Sequence, residues 1–205
     1  MVPSDMTLYN DGTGLTINPI YKDGSVPMIR KYRLRKLLVK FFYLLIFFFH
    51  LEKGPLNPNS RYHLHQIKLH WGGSEHRLNG SETIMEIQLF LYDKNFHANF
   101  QSALNYNDGV LGLAFLVTES NDVNLEWQKV FDQVKRVTRP GSVEKIDPIA
   151  IYKLIPQLEH LDRYWMYQGS LTTPPCSNTL TWIISQNWLK MTSNQVRFFL
   201  HIFNH

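Results

Sequence analysis

Apolar residues recur along this chain at two spacings, and each spacing predicts a different element. Successive side chains of a β-strand point to opposite faces, so a period of two marks one buried face. Residues 64–71, 83–92 and 109–118 alternate in this way or run apolar between Gly, Asn and Asp boundaries, and each is expected as a strand. Trp182, Ile183 and Ile184 read as a further buried strand. Helical spacing occurs at 124–137, where Leu125, Val130, Val134 and Val137 form one apolar stripe with charges between them. Residues 193–203 are similar, with Ser193 placed to cap the helix. Residues 149–154, ending before Pro156, predict a short helical turn. The expectation is a mainly β (α+β) domain with helices on its outside.

Composition changes that picture at one place. At 205 residues and 44% apolar, the chain is large enough for one sizeable core and a single domain spanning 1–205. Residues 30–53 stand apart: Arg30, Lys31, Arg33, Arg35, Lys36 and Lys40 precede an unbroken apolar run from Phe41 to Phe49. A membrane-spanning helix needs about twenty apolar residues, and this run is about half that. A secretory leader has the same basic-then-apolar order but belongs at the N-terminus. A translated intron or misjoined exon accounts for both the composition and the clean flanks, so 30–53 is read as an insert. It carries seven of the 21 Lys/Arg and one of the 17 Asp/Glu, so the remainder has 14 against 16 and the net charge falls from +4 to −2. The basic balance is therefore no evidence for nucleic-acid or membrane binding. No membrane span is expected.

The segment with the most chemistry is Tyr62-His63-Leu64-His65-Gln66-Ile67-Lys68-Leu69-His70-Trp71-Gly72. Gly73-Ser74-Glu75-His76, Glu86-Ile87-Gln88 and Gly169-Ser170-Leu171-Thr172-Thr173-Pro174-Pro175 follow it. Together these resemble the α-carbonic anhydrase family, strongly over 53–205 and more weakly over 7–29. The resemblance implies a central mixed β-sheet with peripheral short helices. Complete family domains are longer, so it also implies a domain incomplete at both termini, or a defective gene model.

The family holds Zn²⁺ on three histidines, two on one strand and one on the next. Alignment on His-Trp-Gly and Glu-x-His puts those positions at Lys68, His70 and Gln88. Zinc sites need at least three good protein ligands, and only His70 is one, so no zinc or other cofactor is expected. Strict alternation places His63 and His65 on the strand face opposite Gln66, Lys68 and His70, which assigns them surface or half-buried polar roles. The resemblance makes Gln66 and Glu86 the residues that orient the ligands; here they are expected to satisfy Lys68 and Gln88, with Glu86 beside the Lys68 ammonium. Thr172 and Glu75 match the hydroxyl and carboxylate that orient zinc-bound hydroxide. Without a metal they are expected as a buried hydrogen-bonded pair bracing a loop. Thr13 stands where the family's proton-shuttling histidine falls, in Asn10-Asp11-Gly12-Thr13. Phe90, Leu171 and Trp182 fall at pocket positions, Phe90 narrowing the pocket.

Glu86-Ile87-Gln88-Leu89-Phe90-Leu91-Tyr92-Asp93 resembles the catalytically silent branch of the family: the carbonic anhydrase-related proteins and the extracellular domains of receptor-type tyrosine phosphatases gamma and zeta. That resemblance implies an extracellular or secreted recognition module with a cell-surface protein partner, such as a contactin-like one. The alternative is a zinc-dependent carbonic anhydrase with an altered or residual site, or an esterase using Thr172 and Glu75. Zn²⁺ lowers the pKa of bound water to about 7, and no group left here replaces it. Cys176 is the sole cysteine; the resemblance implies a partner near the domain's N-terminus, leaving either a lost disulfide or a free buried thiol. Asn79-Gly80-Ser81 is a candidate glycosylation sequon on an expected turn.

Overall fold

The computed structural model describes residues 2–11, 14–22, 28–31, 48–49 and 60–203. Of the expected insert, only residues 30, 31, 48 and 49 fall among these, and Thr13 lies outside them.

The strands are β1 (Asp5–Asn10), β2 (Leu15–Ile20), β3 (Met28–Lys31), β4 (Phe48–Phe49), β5 (Arg61–Trp71), β6 (Met85–Asp93), β7 (Val110–Glu119), β8 (Val143–Ile146), β9 (Tyr164–Gly169), β10 (Leu180–Ser185) and β11 (Leu189–Met191). They form one mixed sheet in the order β8-β1-β2-β5-β6-β7-β10-β9, with β11 added to β7 and with β3, itself paired to β4, added to β5. Pairing is antiparallel except for β7 with β10, β7 with β11 and β3 with β4. The helices are α1 (Phe100–Ala103), α2 (Leu125–Val134), α3 (Ile151–Leu154) and α4 (Ser193–Phe203), with a 3-10 turn at Pro156–His160. The mainly β fold read from the apolar spacing is the fold observed.

Period-two patterning builds both faces of the sheet. On β6, Met85, Ile87, Leu89 and Leu91 face the larger core, together with Leu69, Leu113 and Phe115. Helix α2 closes that core with Trp127, Val130, Phe131 and Val134, all buried. Its N-cap is Asn124, whose side chain accepts the Trp127 N–H at 3.2 Å, and the Trp127 indole donates to Leu154 O at 2.8 Å. A helix starts at Ser193, but its cap is Thr192: Oγ1 accepts the Gln195 N–H at 3.3 Å, while the Ser193 hydroxyl donates to Glu119. Ser193 is therefore the first helical residue, a correction of one position.

A second correction concerns β5. Its register against β6 slips between Leu64 and Gln66, a β-bulge. Tyr62 and Leu64 before the bulge, and Ile67 and Leu69 after it, all enter the larger core. The apolar face thus changes parity at the extra residue. His63 consequently stands opposite Tyr92, on the face that also carries Glu86, Gln88 and Phe90, and not on the opposite face as strict alternation requires.

Candidate functional site

The other face of the sheet is polar at its centre and apolar at its flank. Beyond the bulge, Gln66, Lys68 and His70 lie opposite Phe90, Gln88 and Glu86 in the β5–β6 ladder. The flank is a small core containing Phe90, Leu171, Trp182, Leu104 and Val110. Phe90 and Trp182 meet at 5.5 Å between ring centroids with planes 71° apart. Gly112, paired with both Phe90 and Trp182, leaves room for that indole: a Cβ there would lie 2.6 Å from Trp182 ring atoms. The three residues expected to line the pocket are thus brought together and fill it.

Lys68 is buried at 8% exposure, and its ammonium lies 3.5 Å from the Asp11 carboxylate. This corrects the expected pairing, because Glu86 is occupied elsewhere. Glu86 Oε1 lies 2.6 Å from His76 Nδ1 and its Oε2 accepts the His76 backbone N–H at 2.8 Å. Burial alone would raise the Glu86 carboxyl, but the His76 and Gln88 hydrogen bonds outweigh it and hold the group below its ordinary value. His76 Nε2 meets the Tyr167 hydroxyl at 2.8 Å. Burial, then the charges of Glu86 and Glu75, push the Tyr167 phenol up, so it stays an O–H donor. The tautomer satisfying every contact has its hydrogen on His76 Nδ1.

Gln88 ties this group to the loop. Its Nε2 donates to Glu86 Oε1 at 2.9 Å and to Glu75 Oε2 at 2.8 Å. Two carboxylates can only accept, which fixes the amide's orientation and turns Oε1 toward His70. His70 Nε2 lies 3.1 Å from that oxygen and so carries the hydrogen, while His70 Nδ1 lies 3.4 Å from Glu75 Oε1. The Thr172 hydroxyl reaches both Glu75 oxygens, at 3.0 and 3.1 Å. Thr172 and Glu75 are exposed, so the expected pair exists but lies at the surface. Gln66 takes no part in the chain of contacts.

His65, the bulge residue, stacks on Phe100 at 4.3 Å with planes 12° apart and meets Tyr92 edge-on at 6.2 Å; desolvation lowers its pKa. His63 lies 6.4 Å from the same tyrosine ring. Neither imidazole reaches Lys68, His70 or Gln88 as a companion ligand: among the described residues no three His, Cys, Asp or Glu side chains converge to hold a metal ion. Cys176 is free and exposed at φ 55°, which corrects the buried thiol. Asn79 and Gly80 form the expected turn between Leu78 and Ser81.

Sequence reasoning overlooked Asp11, His76 and Tyr167. A carboxylate on the buried side of a strand needs a donor, and the His beside Glu75 was the nearest one available in the motif. Tyr167, 91 residues from His76, carries no local signal.

Residues 46–205 match the family model for eukaryotic-type carbonic anhydrase. Human receptor-type tyrosine-protein phosphatase zeta is 30% identical over 144 residues, 67% of this chain and 6% of that protein. Rabbit (Oryctolagus cuniculus) carbonic anhydrase 4 is 31% identical over 142 residues, 67% of this chain and 46% of the relative. Human carbonic anhydrase 12 is 32% identical over 143 residues, 67% of this chain and 40% of the relative. The chain thus spans less than half the length of each of these relatives. No helix among the described residues is long and apolar enough to cross a membrane.

Proposed function

The chain belongs to the eukaryotic-type carbonic anhydrase family, and from that premise we propose that it is a non-catalytic member, an extracellular recognition domain whose metal site has been replaced by a hydrogen-bonded side-chain cluster. One observation carries the reading. The Gln88 amide occupies the third ligand position with both its donors on carboxylates and its acceptor on His70 Nε2. His70 therefore offers a hydrogen, and not a lone pair, toward the centre of the cluster. Lys68, the remaining family position, brings a positive charge where a dication would sit. An ammonium, one imidazole and an amide do not fit Zn²⁺, which takes deprotonated nitrogen, sulfur or carboxylate donors.

A second reading rests on Thr172 and Glu75, whose hydrogen bond retains the arrangement that orients hydroxide in active relatives. That pair positions a nucleophile but does not generate one. The recognition role, with a cell-surface protein partner such as a contactin-like one, follows from the resemblance to the silent branch and from the similarity to a receptor-type phosphatase. Zinc content by elemental analysis, measured with CO₂ hydration on the same preparation, tests the proposal. Zinc near zero and a background rate are expected. Stoichiometric zinc that chelators remove together with activity would overturn it.

A further inference from the structure

We infer that Asn79 carries an N-linked oligosaccharide, an inference that rests on the extracellular reading above. The acceptor tripeptide is Asn79-Gly80-Ser81, with no proline at its centre. Leu78 and Ser81 exchange both backbone bonds, at 2.9 and 3.0 Å, closing a two-residue hairpin turn. Such turns of type I′ need positive φ at both central residues, and Asn79 has φ 51° and Gly80 φ 81°. Turn geometry therefore explains the Asn and the Gly without any appeal to modification. It does not explain the third residue.

Several other serines in this fold have structural work: Ser74 Oγ donates to His76 O, Ser102 Oγ to Asn99 O and Ser142 Oγ to Arg139 O. Ser81 is exposed and makes no side-chain hydrogen bond among the described residues, and the Asn79 amide makes none either. The turn stands clear of the body: a Cβ built at Gly80 finds no atom within 4 Å. Asn79 is itself exposed, and so is Ser81, which carries the acceptor hydroxyl two residues on. In the transfer, Nδ2 bonds to the anomeric carbon of a lipid diphosphate-linked oligosaccharide. The bond from that carbon to the diphosphate oxygen breaks, the amide gives up one proton, and the lipid diphosphate leaves.

The turn also rims a groove of about 1200 Å³ lined by Trp165, Ile184, Trp188 and Val196. Trp165 and Trp188 are 43% and 39% exposed, so a glycan at the rim would stand over apolar surface that is otherwise open to water.

The test expresses the full gene product containing this chain in cultured animal cells. Glycopeptide mass spectrometry is run with and without peptide N-glycosidase, which converts a modified Asn to Asp. P140N provides a control, because it places the same tripeptide on the exposed turn at Gly141, which likewise has open space and φ 83°. Modification at Asn79, abolished by S81A and by N79Q, is the expected result. Modification at 140 in the control with none at 79 would overturn the inference while leaving the extracellular reading intact. Absence at both positions would overturn both.

Discussion

Glu86 binds His76 twice, through the ring Nδ1 at 2.6 Å and the backbone N–H at 2.8 Å. The carboxylate is fully buried and also accepts from Gln88, so three donors depend on one acceptor group. Glu86→Ala is expected to destabilise the domain by about 3 kcal/mol, because each buried donor left without its acceptor costs about 1–3 kcal/mol. Urea unfolding of the two proteins side by side measures it. A loss below about 1 kcal/mol would mean that water replaces the carboxylate.

The same group sets an acid limit. Its ordinary value is 4.5 and its folded value is lower. The unfolded chain therefore takes up the proton first as pH falls. Glu86 stability is complete above about pH 4.5 and is lost as pH drops through the folded value. His65, whose imidazole is also lowered from 6.5, loses its share at higher pH, beginning below about 6.5. Thermal melts from pH 8 to 3 should thus decline in two stages. His65→Phe, which keeps an aromatic ring against Phe100, should remove the upper stage alone.

Lys68→His with Gln88→His adds two imidazoles beside His70 and so rebuilds the set of three. The double variant is expected to gain about one zinc per chain and measurable CO₂ hydration, whereas each single variant should gain neither, because three ligands are needed. Zinc uptake without hydration would locate the remaining defect in the filled pocket of Phe90 and Trp182.

Gly112→Ala tests that filled pocket. A methyl group there would lie 2.6 Å from the Trp182 ring, and overpacking of this kind costs about 1–3 kcal/mol. A lowered melting temperature and an altered Trp182 near-UV signal are expected. An unchanged melt would show that the indole can move aside without loss.

Much of the fold could be read from local pattern because its central strands bury one face at a time. Leu113 and Phe115 on β7, and Ile87 and Leu89 on β6, announce themselves by spacing alone. The edge strands β8 and β9 do not: β9 alternates half-buried and exposed residues, and Trp165 on it faces water. The site residues Lys68, His70, Gln88, Glu75 and Thr172 do assemble as a group. Their partners are a different matter, because Asp11 reaches Lys68 from a separate strand end and Tyr167 reaches His76 across the sheet. The bulge did leave a trace. Apolar residues fall at Tyr62 and Leu64, then at Ile67 and Leu69, a change from even to odd that one inserted residue explains.

That change of parity makes residue 65 unusual as a target of mutation. Its identity matters locally, through one ring stacked on Phe100. Its presence matters to the whole strand, because it alone keeps both halves of β5 facing the same way. Substitution at 65 should therefore be tolerated far better than a one-residue deletion, which would turn Tyr62 and Leu64 out of the core or rotate Lys68 and His70 away from Gln88. At this position the chain is constrained in length more than in chemistry, so descendants of this gene should vary the residue and preserve the count.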